Sequence, residues 1–114
     1  NMAKLTPISI ITPTNIFVTA ARAPIEGESD ADKLRVLLDH FLHNNLSPID
    51  MRVVPKSASS KSFTLRLPKK VLNRLDQYCQ RTLYTRQQAF QIAVCASLKD
   101  LGLTHFVDSS KAEA

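Results

Sequence analysis

In the stretch SFTLRLPKKVLNRL, residues 62–75, the hydrogen-bonding side chains Ser62, Thr64 and Arg66 alternate with Phe63, Leu65 and Leu67, then run directly into Pro68, Lys69 and Lys70. A spacing of two puts two hydroxyls and a guanidinium on one face of a strand and the apolar side chains on the other. The same region is basic. Residues 52–86 hold nine cations (Arg52, Lys56, Lys61, Arg66, Lys69, Lys70, Arg74, Arg81 and Arg86) against the single acid Asp76, which suits either a polyanion or plain solvation of one face. Residues 26–39 carry the opposite bias, with Glu26, Glu28, Asp30, Asp32 and Asp39 against two bases, so position on the fold must decide between the two readings.

Catalytic constellations are thin. Tyr78 and Tyr84 have the chemistry of strand-nicking nucleophiles, but no cluster of three histidines accompanies them, and Tyr78 falls on an apolar helix face where it reads as core. His40 and His43 stand at i, i+3 beside Asp39. Without a third convincing ligand they read as an exposed helix end, and His105 is isolated. With only Gly27 and Gly102, the chain has no glycine-rich phosphate loop. The expectation is a protein that is not an enzyme and takes neither metal nor cofactor.

The 114 residues, 44% hydrophobic and 22% charged, suffice for one domain with a core, expected over residues 1–107, with 108–114 a loose tail. Starting at Asn1, the chain is expected to be a fragment or processed product of something longer. No apolar run approaches the roughly 20 residues of a membrane span, and residues 8–11 are too few for a secretory leader. Cys79 and Cys95 both fall in predicted helices, which suits buried free thiols in a reducing compartment, the cytoplasm, better than a disulfide framework.

The elements that must position these residues follow from periodicity. After the strand, Pro68 supplies a φ suited to a helix's first turn, and Val71, Leu72, Leu75, Tyr78 and Cys79 recur at helical spacing to about Arg81. Thr85 with Gln88 forms a capping box that opens a second helix, with Ala89, Phe90, Ala93, Val94 and Leu98 on one side and Gly102 at its end. Ile92, Cys95 and Ala96 lie off that stripe. They either pack inside or form a docking face for a protein partner, which would make the chain an interaction module. Upstream, KLTPISIIT reads as a strand, NIFVTAARA as a short helix ended by Pro24, and DADKLRVLLDHFLHN as a helix capped by Ser29 with Leu34, Leu37, Leu38, Phe41 and Leu42 inward. Residues 44–61, with Pro48, Pro55 and KSASSK, read as a linker that is flexible near its end.

The halves share an order. Pro13 precedes Pro68 by 55 residues and Ser29 precedes Thr85 by 56, so residues 4–43 and 62–102 read as an internal duplication. A competing register makes residues 30–45 the first helix and 47–54 a stunted second one.

SFTLRLPKKVLNRL followed by YTRQQAFQIAVCASLKDLG resembles the ribbon-helix-helix family of DNA-binding proteins, in its polar-apolar strand ending in Leu-Pro, its helix, its capped turn and its second helix. The likeness covers residues 62 to about 102, and reaches 4–43 only through the repeat. It implies an α/β, mainly α fold in which two fused copies form an intramolecular two-stranded antiparallel ribbon on four helices, the ribbon entering the major groove of double-stranded DNA. Carried over, Ser62, Thr64, Arg66 and, from the first copy, Ser9 are the base-contacting residues, and Arg66 suits guanine O6 and N7. Thr85, Arg86 and Gln87 fall where the family anchors phosphate on a helix N-terminus, joined by Lys69, Lys70 and Arg74 for backbone positioning. Departures from the pattern are Ile11 and Pro7 where the second copy has Arg66 and Ser62, and Asp30 and Asp32 where an anion would dock. A monomer reading an asymmetric site is expected. A double copy in one chain is similar to accessory proteins of virulence-associated T-DNA and plasmid transfer, which implies a relaxase or ATPase of a transfer complex as protein partners. A transcriptional repressor is the runner-up.

Overall fold

The computed structural model describes residues 4–103; His105 and the expected tail lie outside them. The chain runs β1 (Leu5–Pro13), α1 (Thr14–Ala21), α2 (Asp30–His43), a 3-10 turn (Met51–Val53), β2 (Ser60–Pro68), α3 (Lys69–Thr82) and α4 (Arg86–Asp100). It is a mixed α/β, mainly helical fold with one two-stranded antiparallel sheet. The strands, nine residues each, pair along their full length from Leu5 opposite Pro68 to Pro13 opposite Ser60. Ser9 and Thr64, the middle residue of each strand, stand opposite each other.

Alternation decides which face is buried. Ile8, Ile10, Leu65 and Leu67 are buried, while Leu5, Pro7, Ser9 and Ile11 on β1 and Ser62, Thr64 and Arg66 on β2 face outward. Phe63, half-buried, packs its ring 5.3 Å from that of Phe17 and 5.9 Å from that of Phe90. Two strands alone are marginal, so this inner face needs its helices. The ribbon also tolerates three prolines for a shared reason. The backbone groups of Ser9 and Ile11 point away from β2, and Pro7 and Pro13 fall in the same alternate set, as Pro68 does on β2. Prolines at these positions withhold no donor from the ladder. Pro13 and Pro68 are the last strand residues and also the N-caps of α1 and α3, with φ of −52° and −59° and extended ψ. One ring thus ends the strand and starts the helix, one position earlier than the first-turn role expected of it.

Beneath the ribbon, α4 is buried on nearly all sides from Ala89 to Leu98. Ile92, Cys95 and Ala96 are inside the core, so the docking face they offered in the sequence does not exist. Ser97 is fully buried and donates through Oγ to Leu37 O at 2.6 Å, tying α4 to α2. Leu34, Leu37, Leu38 and Phe41 of α2 and Leu75 and Tyr78 of α3 complete the core.

The connection between the halves is not loose at its end. Asn15, buried at the start of α1, donates from Nδ2 to Pro55 O at 2.7 Å and accepts at Oδ1 from Ser57 N at 2.9 Å. Ser57 is buried, its Oγ accepting from Asn15 N at 3.1 Å, and Thr14 N donates to Ser59 O at 3.1 Å. The flexibility expected of KSASSK gives way to a strap pinned across the N-terminus of α1.

Candidate nucleic-acid interface

The outer face of the ribbon holds three cross-strand pairs at its centre: Pro7 with Arg66, Ser9 with Thr64, and Ile11 with Ser62. All six side chains are exposed. Because their backbone groups turn away from the partner strand, they are the close, non-hydrogen-bonded kind of pair, with Cα atoms about 4.5 Å apart. The Arg66 guanidinium makes no hydrogen bond or ion pair with any described residue, so its donors are open to a ligand. No acid occurs in residues 4–13 or 60–70, and Lys4, Lys61, Lys69 and Lys70 are exposed around the ribbon. Lys61 stands 5.5 Å from the centre of the Phe17 ring, on the helix side, leaving Lys69 and Lys70 as the cations at the ribbon's end. The four residues expected to contact bases therefore lie together on one surface.

Each edge of the ribbon is met by a helix side chain. Gln87 of α4 donates from Nε2 to Ser9 O at 3.0 Å and accepts at Oε1 from Ile11 N at 2.6 Å, imitating a third strand along β1. On the β2 side, Arg35 Nη1 of α2 donates to Arg66 O at 3.4 Å. Capping of this kind blunts a sheet edge against strand addition.

The residues expected at phosphates divide. Thr85 Oγ1 accepts from Gln88 N at 3.2 Å while Gln88 Oε1 accepts from Thr85 N at 2.9 Å, so the capping box is built as the spacing implied. The amides of Arg86 and Gln87 are first-turn donors that a helix cannot satisfy from within. Their side chains are otherwise engaged. Gln87 holds β1, and Arg86 donates through Nε and Nη2 to both oxygens of Asp76, each at 2.9 Å. The Asp76 carboxylate holds the Arg86 pKa above its usual value and offsets its charge. Arg74 lines a cleft of about 330 Å³ between α2 and α3 with Arg81, His43, Gln77 and Tyr78, and is thus grouped with that cleft. Lys69 and Lys70 have no ion pair among the described residues.

At the N-terminus of α2, also opened by a capping box, an anion is already present within the chain. Ser29 Oγ accepts from Asp32 N at 3.1 Å, and Asp32 Oδ2 accepts from Ser29 N and Glu28 N, both at 3.3 Å. Those amide donors, led by Ser29, with Arg35 ion-paired beside them, hold the Asp32 pKa below the usual carboxylate value. A phosphate is excluded there by Asp32 itself.

Two of the groups considered for catalysis, Tyr78 and His40, are engaged within the fold. Tyr78 is buried with its ring edge-on to Phe41 at 5.3 Å, and burial pushes its hydroxyl pKa up. His40 Nε2 lies 2.8 Å from Asp100 Oδ2, and its Nδ1 is 3.2 Å from Asn44 Nδ2. Among the described residues no three His, Cys, Asp or Glu side chains gather to hold a metal, and no helix is long and apolar enough to cross a membrane. Cys79 and Cys95 are free thiols; burial pushes Cys95 up to about 12.

Two contacts carrying this interface were missed in the sequence. The Gln87 clamp spans 76 and 78 residues and leaves no local signal. The Arg86–Asp76 pair left one, since Asp76 is the lone acid in a basic run. No family model, no curated protein and no solved structure matches the chain.

Proposed function

We propose that this chain is a single-chain double ribbon-helix-helix protein that binds double-stranded DNA by laying the outer face of its ribbon in the major groove. The observation that carries this reading is the ribbon itself: two strands of one chain, paired about Ser9 and Thr64, with Ser62, Thr64 and Arg66 exposed, no acid on either strand and the helices all beneath. The repeated order of strand, proline joint, helix and capped helix supports the duplication, since β1 and β2 have equal length and α2 and α4 each open on a capping box. A ribbon of this width suits the major groove, about 12 Å across. Arg66 is the base reader, Thr64, Ser62 and Ser9 assist it, and Lys69, Lys70 and the first amides of α4 position the backbone. Pairing within one chain makes the binding unit a monomer.

Selection of bound duplexes from a random pool tests the reading. In the selected duplex, Arg66→Ala relaxes preference at one base pair, while Lys70→Ala weakens all sequences alike and flattens the plot of log K against log salt by about one. Equal weakening of every duplex by Arg66→Ala overturns the assignment of Arg66, and the absence of duplex binding overturns the function. The role proposed is an accessory factor in plasmid or T-DNA processing, with a relaxase or ATPase of a transfer complex as partner. A selected sequence that falls in a transfer origin or border supports it; one overlapping a promoter makes the protein a repressor.

A further inference from the structure

We propose that the β1 half of the ribbon's outer face recognises the 5-methyl group of thymine, with Ile11 as the contact, so that the protein binds a non-palindromic site. The proposal rests on the DNA-binding reading above and adds the chemistry of its second half-site.

Ile11 is half exposed and Leu5 nearly so, on the same face as Arg66 and Thr64. Both Ile11 and Arg66 lie two residues beyond the central Ser9–Thr64 pair, on opposite strands and at opposite ends of the face. Where one end presents a guanidinium, the other presents a branched hydrocarbon. Ile11 is also held in place, because its backbone N–H is bonded to Gln87 Oε1 and the neighbouring clamp bond reaches Ser9 O. A fixed apolar side chain has little to offer base nitrogens and oxygens. The thymine methyl is the one apolar group that base pairs present in the major groove, and apolar side chains contact it. The outer face carries no acid, and Lys4, Lys69 and Lys70 are exposed at its Arg66 end, which favours a polyanion as the occupant of this face over another protein surface.

Arg66 and Ile11 are separated by four residues along the ribbon, about 13 Å. The thymine is therefore expected about three to four base pairs from the guanine that Arg66 reads, taking about 3.4 Å per step.

The test uses the duplex selected from a random pool. Each thymine is replaced in turn by deoxyuridine, which keeps every hydrogen-bonding edge and removes only the methyl. Loss of about fourfold in affinity, the equivalent of one buried methylene, is expected at one or two thymines confined to one half of the site. Ile11→Ser should show the same loss on the thymine duplex and no further loss with deoxyuridine. Selective binding by the wild-type protein with every deoxyuridine tolerated overturns the proposal and leaves the DNA-binding reading standing. Sensitivity retained by a folded Ile11→Ser protein also overturns it. If no duplex is selected, both readings fall together.

Discussion

Replacing Asn15 by alanine tests whether the strap over α1 holds the two halves in register. Asn15 is fully buried, and its side chain makes two bonds to the strap, at 2.7 Å to Pro55 O and 2.9 Å from Ser57 N. Ser57 is 8% exposed, so its amide loses its partner with little water to replace it, which costs about 2 kcal/mol. Pro55 is exposed, and its carbonyl recovers most of its loss from solvent, leaving about 1 kcal/mol. The expected destabilisation is about 3 kcal/mol, read as a lower urea midpoint at unchanged m. Ser57→Ala is the internal comparison: it removes the hydroxyl bonds to Asn15 N and Ser59 O but leaves the Asn15 side chain paired, and should cost about half as much. Hydrogen exchange reads the same event locally, with the Ser57 amide deprotected in Asn15→Ala. A loss below about 1 kcal/mol with Ser57 still protected would show that the strap is not held by Asn15.

Thr12 is fully buried with its Oγ1 unpartnered among the described residues, so Thr12→Val, which keeps the shape and removes the orphan, should raise unfolding free energy by about 1 kcal/mol in urea titration. Asp76→Asn releases Arg86 from its two-bond ion pair and should steepen the salt dependence of duplex binding by about one phosphate contact; an unchanged slope places Arg86 away from DNA. Cys95 ionises near 9.0 when exposed but is held at about 12 in the fold, so its thiol contributes stability that is complete below pH 9 and is lost as pH rises toward 12. In Cys95→Ala that part of the alkaline decline should vanish, as measured by urea unfolding at a series of pH values, leaving what Cys79 and Tyr78 contribute.

What the sequence made legible was local. Phe63, Leu65 and Leu67 against Ser62, Thr64 and Arg66 declare a strand within six residues, and Ser29 alone or Thr85 with Gln88 declares a helix start. The face carrying Arg66 was therefore readable before any tertiary contact was known. Contacts between distant residues were not. The stripe expected on α4 became burial on nearly all sides because α2 and the ribbon both pack on it, although AFQIAVCASL is apolar almost all round and such a helix is a buried one. The pairing of Asn15 with Ser57 joins the first residue of an expected helix to a residue of the expected linker, and only the path of the strap brings them together.

A two-stranded ribbon has three routes by which another molecule can use it: either edge, by adding a strand, or the face away from its core. Here each edge carries a helix side chain. Gln87 satisfies the donor and acceptor of β1 at Ile11 and Ser9, and Arg35 reaches Arg66 O on β2. An incoming peptide strand would have to break these bonds before forming its own at those positions. The face needs no such exchange, since the Arg66 guanidinium is unpaired within the described chain and the neighbouring cations have no acid beside them on the ribbon. Clamping the edges also fixes the spacing of side chains on that face, and a partner of regular repeat, such as the edges of stacked base pairs, gains most from fixed spacing. The two clamps differ, a carboxamide on one strand and a guanidinium on the other, as do Ile11 and Arg66 at the two ends. Two unlike strands are open to a ribbon built within one chain and closed to a homodimer, whose two strands must carry the same residues.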